Sequence, residues 1–225
     1  MKKSIIVFST ALILLLLFSL TATAQDLTIK ERLRERGLKA GLNYTSFYNQ
    51  IFGHKNPKIG FLAGGYLSYF LKNNIFFQPE LFFAMKGLHL QSFAQLTNER
   101  NEVIWDINYI EMPLLLKFFT KGRGDLDYEI SFGPTIAYKI NSSEVVKVTY
   151  NNPSGSITES TEYSSDRIKK FDYGFLLSMG FKFKIKSKNV LIEPRVVYGL
   201  SNVFESKTNQ TGKNIAWSLL FGIWK

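Results

Sequence analysis

Large apolar residues recur at every second position through most of this chain, and each run lasts longer than an ordinary strand. Between Asp127 and Ile140 the alternation is cleanest. Tyr128, Ile130, Phe132, Pro134, Ile136, Tyr138 and Ile140 share one face; Glu129, Ser131, Gly133, Thr135, Ala137 and Lys139 share the other. A period of two belongs to the strand, where successive side chains point to opposite faces. Strands in globular proteins run about five or six residues, whereas a tilted strand needs roughly 9–11 to cross a bilayer. Runs of this length, with rings on one face and charge or glycine on the other, predict strands whose apolar face meets lipid. A soluble sandwich with an aromatic core is the alternative that alternation alone leaves open.

Seven more segments fit the template: Leu38 to Tyr48, Lys58 to Leu71, Ile75 to Leu88, Val103 to Phe119, Phe171 to Ile185, Asn189 to Ser201 and Lys213 onward. The expected fold is all-β, an eight-stranded antiparallel up-and-down transmembrane β-barrel, an even count that puts both ends of the barrel domain on one side. The connections alternate in length as such barrels require. Lys72-Asn73-Asn74, the turn from Lys121 to Asp125, and Lys186-Ser187-Lys188 are short. Asn49 to Pro57, His89 to Glu102, Asn141 to Lys170 and Asn202 to Gly212 read as long polar loops, the third with a flexible tip at Asn151 to Ser156. Short turns face the periplasm in this architecture and long loops the exterior.

Aromatic residues fall near both ends of the strands, as rings at lipid–water boundaries do. Phe70, Phe76, Phe77, Phe118, Phe119, Tyr128, Phe183 and Trp224 lie toward the short turns. Phe47, Tyr48, Trp105, Tyr109, Tyr138, Phe171, Tyr198 and Trp217 lie toward the long loops. Two belts are expected from them.

The N-terminal segment carries Lys2 and Lys3, an apolar run from Ile5 to Leu20, and small residues at Ala22 and Ala24. That order is a secretory signal peptide with cleavage before Gln25. The domain reading is a signal peptide over 1–24, a periplasmic segment over 25–37, and the barrel over 38–225. An export route fits the absence of any later apolar stretch long enough for a transmembrane helix, because charges such as Glu80, Lys117 and Glu129 interrupt each candidate. The chain has no cysteine, which excludes disulfides, thiolate metal sites and a lipidated N-terminal cysteine. The formal charge of +10 becomes +8 once Lys2 and Lys3 are gone. Nucleic acid is not an expected partner of an exported protein. The basic turns, and Lys30, Arg32, Arg34 and Arg36 ahead of the first strand, suit outer-membrane lipids with anionic head groups; a merely solvated rim reads equally well.

Several segments together carry a family likeness. They are Lys39-Ala40-Gly41-Leu42-Asn43, Gln78-Pro79-Glu80-Leu81 with Lys86-Gly87, Tyr109-Ile110-Glu111-Met112-Pro113-Leu114-Leu115-Leu116-Lys117, Gly133-Pro134, Asp172-Tyr173-Gly174, and Glu193-Pro194-Arg195 with Tyr198-Gly199-Leu200. Over nearly the whole chain past the leader, it resembles the PorT-like outer-membrane β-barrel family of Gram-negative bacteria. The resemblance implies an integral outer-membrane location and a link to secretion or surface assembly. One departure is Lys225 after Trp224, where many such barrels end on an aromatic residue.

The chemistry-bearing residues lie on the polar faces. Glu80, Lys86, Glu111, Lys117, Glu129, Lys139, Asp172, Lys182, Glu193 and Arg195 would all project into the lumen. An eight-stranded barrel is only wide enough to be filled by side chains, and charges removed from water demand partners. A structural network of paired charges is expected. A narrow channel for small solutes or protons is the second reading. Catalytic signals are thin: His54 and His89 are the only histidines, both in presumed loops. His89 with Ser92 could supply a base and nucleophile for a lipid-modifying hydrolase, but without an orienting third group. No enzyme, cofactor or metal is expected. The Asn-x-Ser/Thr matches at Asn43, Asn141 and Asn209 are treated as chance. The sequence thus reads as a monomeric outer-membrane barrel with a filled lumen and a structural or interaction role, its outer loops or periplasmic rim open to contact with a protein partner.

Overall fold

The computed structural model describes residues 33–48, 54–94, 99–122, 124–152, 155–164, 167–205 and 211–225. The expected signal peptide, its cleavage site, and Lys30 and Arg32 lie outside these residues. The chain divides into a unit Met1–Arg34 and a unit Glu35–Lys225; the second is the barrel.

Among the described residues nine strands form: β1 Leu33–Tyr48, β2 His54–Lys72, β3 Ile75–Ala94, β4 Glu99–Lys121, β5 Leu126–Asn152, β6 Gly155–Ser164, β7 Phe171–Ile185, β8 Lys188–Gly199 and β9 Lys213–Trp224. Eight of them close a ring in the order β4-β3-β2-β1-β9-β8-β7-β5, with β5 returning to β4. Neighbouring strands run antiparallel, for instance with Leu38 opposite Ile223 and Ile136 opposite Met112. Closure leaves the ring no unpaired edge, which is the condition for strands to cross a bilayer.

The alternation is reproduced residue by residue. In β7 exposed and buried positions alternate from Phe171 to Gly180, with Phe171, Tyr173, Phe175, Leu177 and Met179 all exposed and Asp172 and Ser178 buried. Apolar side chains outside and polar ones inside is the inverse of a soluble protein, and it is the arrangement that lipid as solvent selects. Tight turns close the end that holds both β1's start and β9's finish. Asn73 and Lys186 take left-handed backbone there (φ 52° and 57°) and Gly124 does so in the turn before β5 (φ 68°); asparagine and glycine accept that region readily.

Three expectations need correction. The first strand starts at Leu33, not Leu38, so residues 33–37, expected in a separate periplasmic segment, are already strand. The presumed loops His89 to Glu102 and Asn141 to Lys170 are largely strand as well. β3 and β4 stay paired out to Ala94 and Glu99, and β5 continues to Asn152, where β6 folds back along it. Their β-branched residues, Val145, Val146, Val148, Thr149, Thr158 and Thr161, favour strand. Polar residues on both faces blur the period there, so the stretch read as a loop.

The third correction concerns the rings. Phe47, Trp105 and Tyr109, expected in the outer belt, are buried inside the barrel at 2%, 2% and 0% exposure. Strand parity decides this: Phe47 shares its face with Lys39, Asn43 and Thr45, and Tyr109 shares its face with Glu111. Phe70, Phe76 and Phe119 also fall on inward-facing positions at the short-turn end, with centroids 5.7 Å and 6.5 Å apart along the row. The outward belts are therefore thinner, with exposed Phe77, Phe118 and Tyr128 at one end and Tyr138, Phe171, Tyr198 and Trp217 at the other.

Candidate functional site

The lumen holds three layers. Nearest the short turns, Glu35 enters from the beginning of β1. Its Oε2 accepts from Lys182 Nζ at 2.5 Å and lies 3.4 Å from Lys117 Nζ, while its Oε1 accepts from the Tyr66 hydroxyl at 2.5 Å. Glu129 completes the set, 2.8 Å from Lys182 Nζ and 3.6 Å from Lys117 Nζ. Two carboxylates thus meet two ammonium groups, and the layer is neutral. Lys182 also stands 4.7 Å from the ring centre of Trp224, and Lys117 stands 5.1 Å from that of Phe76.

The middle layer joins three strands, β1, β3 and β8. Lys39 Nζ donates to Glu80 Oε1 at 2.8 Å and to Glu193 Oε2 at 2.5 Å. Arg195 donates through Nη2 to Glu80 Oε2 at 2.9 Å and through Nε to Glu193 Oε1 at 3.0 Å, and Nη2 also reaches Glu193 Oε1. Gln78 Nε2 adds a bond to Glu80 at 2.8 Å. A guanidinium fork and an ammonium cap both carboxylates, which satisfies the charges that burial would otherwise penalise. A neighbouring pair sits beside this ring: Lys86 Nζ is 2.8 Å from Glu111 Oε2, whose other oxygen accepts from Thr135 at 3.1 Å.

Above the charges, toward the long hairpins, lies an apolar plug of Phe47, Leu88, Trp105, Ile107, Tyr109, Ala137, Ile168, Val203 and Phe204. Phe204 packs edge-on against Phe47 and Trp105, with centroids 5.7 Å and 5.5 Å away. Three of its residues, Ile168, Val203 and Phe204, come from connecting segments, which an isolated bridge between Ile168 and Phe204 holds together. Asp172 sits at this level and accepts from Ser201 and Asn214, each at 2.5 Å.

Of the ten residues singled out from sequence, Glu80, Glu193 and Arg195 meet in one layer, Lys117, Glu129 and Lys182 in another, and Lys86 and Glu111 pair beside them. Asp172 is bound to neutral groups. Lys139 is half-buried and its Nζ donates to the Ile168 carbonyl at 2.7 Å. All but Lys139 are at most 5% exposed. Sequence reasoning missed Lys39, Glu35 and Tyr66. Lys39 was legible, since it alternates with the outward Leu38 and Ala40; Glu35 was hidden because it precedes the strand start assumed for β1.

His89 lies away from the lumen layers. Its Nε2 is 3.4 Å from Glu102 Oε2 and 3.5 Å from the Gln91 amide, and Arg100 reaches Glu102 at 2.8 Å. The Ser92 side chain lies outside the described residues, as does that of His54. Among the described residues no cluster of histidine, cysteine or carboxylate groups could hold a metal.

Solved structures similar to this chain are outer-membrane barrels at low identity. OprG from Pseudomonas aeruginosa is 11% identical, with 85% of this chain and 95% of that one covered and a TM-score of 0.45. Ail, the attachment invasion locus protein of Yersinia pestis, is 12% identical, with 85% and 98% covered and a TM-score of 0.38. Neisserial surface protein A is 7% identical over 84% and 95%, with a TM-score of 0.36. No curated protein matches significantly. Residues 23–205, most of the chain, match the model of the outer membrane protein beta-barrel domain, and with an eight-stranded closed ring that is apolar outside and charged within, the chain belongs to that family.

Proposed function

We propose that this barrel is a non-conducting, non-catalytic outer-membrane protein that acts by contact, through the hairpins beyond the barrel's long-connection end. The observation that carries this reading is the filled lumen: a neutral, hydrogen-bonded charge network below an apolar plug built partly from connecting segments. A solute path would need those pairs to part, and each separation would strand a desolvated charge. The barrel wall is thus a scaffold, and the ten lumen residues, with Lys39 and Glu35, serve to hold it together. Export by a signal peptide cleaved before Gln25 belongs to the same reading. So does PorT-like affiliation, supported by the Tyr109–Lys117 and Glu193–Arg195 segments, whose charged residues supply the network, and with it a link to secretion or surface assembly.

Planar-bilayer recording tests it. Purified protein is expected to give no stable unitary current, whereas regular current steps would sink the filled-lumen reading in favour of a narrow channel.

A further inference from the structure

Three cations stand in a row on the outer wall at the short-turn end. The Arg36 N–H donates to the Lys225 oxygen at 3.0 Å and the Lys225 N–H to the Arg36 carbonyl at 2.9 Å, so the two residues face each other across β1 and β9. On the other side of β9, Asn189 is opposite Trp224, which brings Lys188 of β8 beside Lys225. All three are exposed. Each lies two residues from an outward apolar position, Leu38, Ile223 or Val190, and so points outward with it. Like charges directly opposite one another repel. Among the described residues none of the three forms an ion pair, and the neighbouring carboxylate, Glu35, is turned into the lumen and held by Lys182. Counting a terminal carboxylate at Lys225, three cations less one anion leave an excess of two positive charges.

Membrane-ward of this row the wall is hollow. A groove of about 780 Å³ starts beside Arg36 and Lys225 and runs past Leu38, Gly65, Leu67 and Leu81. A second groove of about 630 Å³ passes Ala40 and Ala63, and Leu38 and Ile223 line both. The hollows follow from small residues at outward positions. Gly65 shares its face with the exposed Phe61 and Leu67, and the backbone does not require a glycine there. Its φ is not positive, and an added Cβ would meet nothing closer than 3.4 Å.

We propose that the cationic row and the two grooves form a seat for one anionic diacyl phospholipid of the periplasmic leaflet. The phosphate lies between Arg36 and Lys225, with Lys188 adding charge, and the acyl chains lie on either side of the Leu38–Ile223 ridge. Lipid is the solvent of this wall, and its tails are as apolar as the side chains they touch, so apolar contact alone selects no particular lipid. The grooves add dispersion contacts that a smooth wall lacks, and the cations select an anionic head group. A second copy of this chain is the poorer occupant: copies inserted in the same direction would bring cationic row against cationic row at one level. The seat is on the outer wall, apart from the lumen and the hairpins, and so goes beyond the contact reading.

The full-length barrel in neutral detergent is titrated with dioleoyl phosphatidylglycerol or dioleoyl phosphatidylcholine, and retained lipid is counted by native mass spectrometry. One phosphatidylglycerol is expected to be retained at about tenfold lower concentration than phosphatidylcholine. The double substitution Arg36→Gln and Lys225→Gln should remove that preference. Gly65→Leu, which fills the groove and leaves the cations in place, should weaken retention of phosphatidylglycerol while the unboiled protein still migrates as a folded barrel. A rim that is merely charged would lose nothing on that change. If Gly65→Leu does not fold, Ala63→Leu asks the same of the second groove, and the charge variant decides independently of both. Equal retention of the two lipids, undiminished retention by the folded groove variant, displacement of the lipid by glycerol 3-phosphate, or a dimer that persists without lipid would each overturn the proposal. None of these outcomes bears on the bilayer recording, so the two readings fail separately.

Discussion

At the scale of single residues, the lumen is decided by charge balance. Around Glu35 and Glu129 stand Lys117 and Lys182, and removal of one member leaves an excess charge away from water. Breaking a buried pair in this way costs about 3–5 kcal/mol, while removing both partners is far milder. Glu35→Gln is therefore expected to lower the urea midpoint of unfolding in micelles. Adding Lys182→Met should recover a large part of it, because Glu129 then balances Lys117 alone. If the double variant is less stable than Glu35→Gln, the neutral four-group layer is wrong. The same balance explains what sequence reasoning could and could not see. Each charge was visible as the polar member of an alternating pair, but alternation says only that Glu80, Glu193 and Lys39 face inward. Their meeting at one level depends on the stagger of strands far apart in sequence.

At the scale of elements, the strands within the membrane were legible and the hairpin beyond it was not. Lipid enforces a two-sided pattern from Phe171 to Ile185, whereas β5 beyond Ser143 and β6 carry polar residues on both faces, as at Glu144 and Lys147 or Glu159 and Glu162, and show no such period. The turn formers around Pro153 mark a reversal in the sequence, but nothing local tells a loop tip from the link between two paired strands, which the pairing of Asn152 with Gly155 reveals. Because β6 lies outside the ring, the hairpin is dispensable to it. Replacing residues 147–160 by a short Asn-Gly turn is expected to leave the unfolding midpoint within the equivalent of about 1 kcal/mol, measured by tryptophan fluorescence. A large loss of stability would mean that the hairpin is part of the barrel's fold. The close approach of β4 and β5 inside the ring is a different matter: a side chain at Gly133 would put Cβ 2.1 Å from the Leu114 carbonyl oxygen, so glycine there is a packing requirement.

At the scale of the whole molecule, the ring has no edge strand and its interior is cross-linked by ion pairs between strands distant in sequence, such as Lys39 with Glu193. It should unfold as one unit and resist detergent. Unboiled and boiled samples are expected to migrate differently on an SDS gel, with the unboiled form resistant to protease; identical migration would contradict a closed barrel. By itself the sequence determined the class of fold, the inward and outward faces of the membrane strands, the short-turn end, and the identity of most lumen charges. Those follow from a local rule, the two-residue period imposed by lipid on one side. Only the tertiary structure decided that Phe47, Trp105 and Tyr109 plug the lumen instead of girdling it, that Glu35 and Lys39 complete the charge layers, and that β5 and β6 form a sheet with a free edge. Each of these depends on register and on how far a strand continues, which are set by pairing between distant segments.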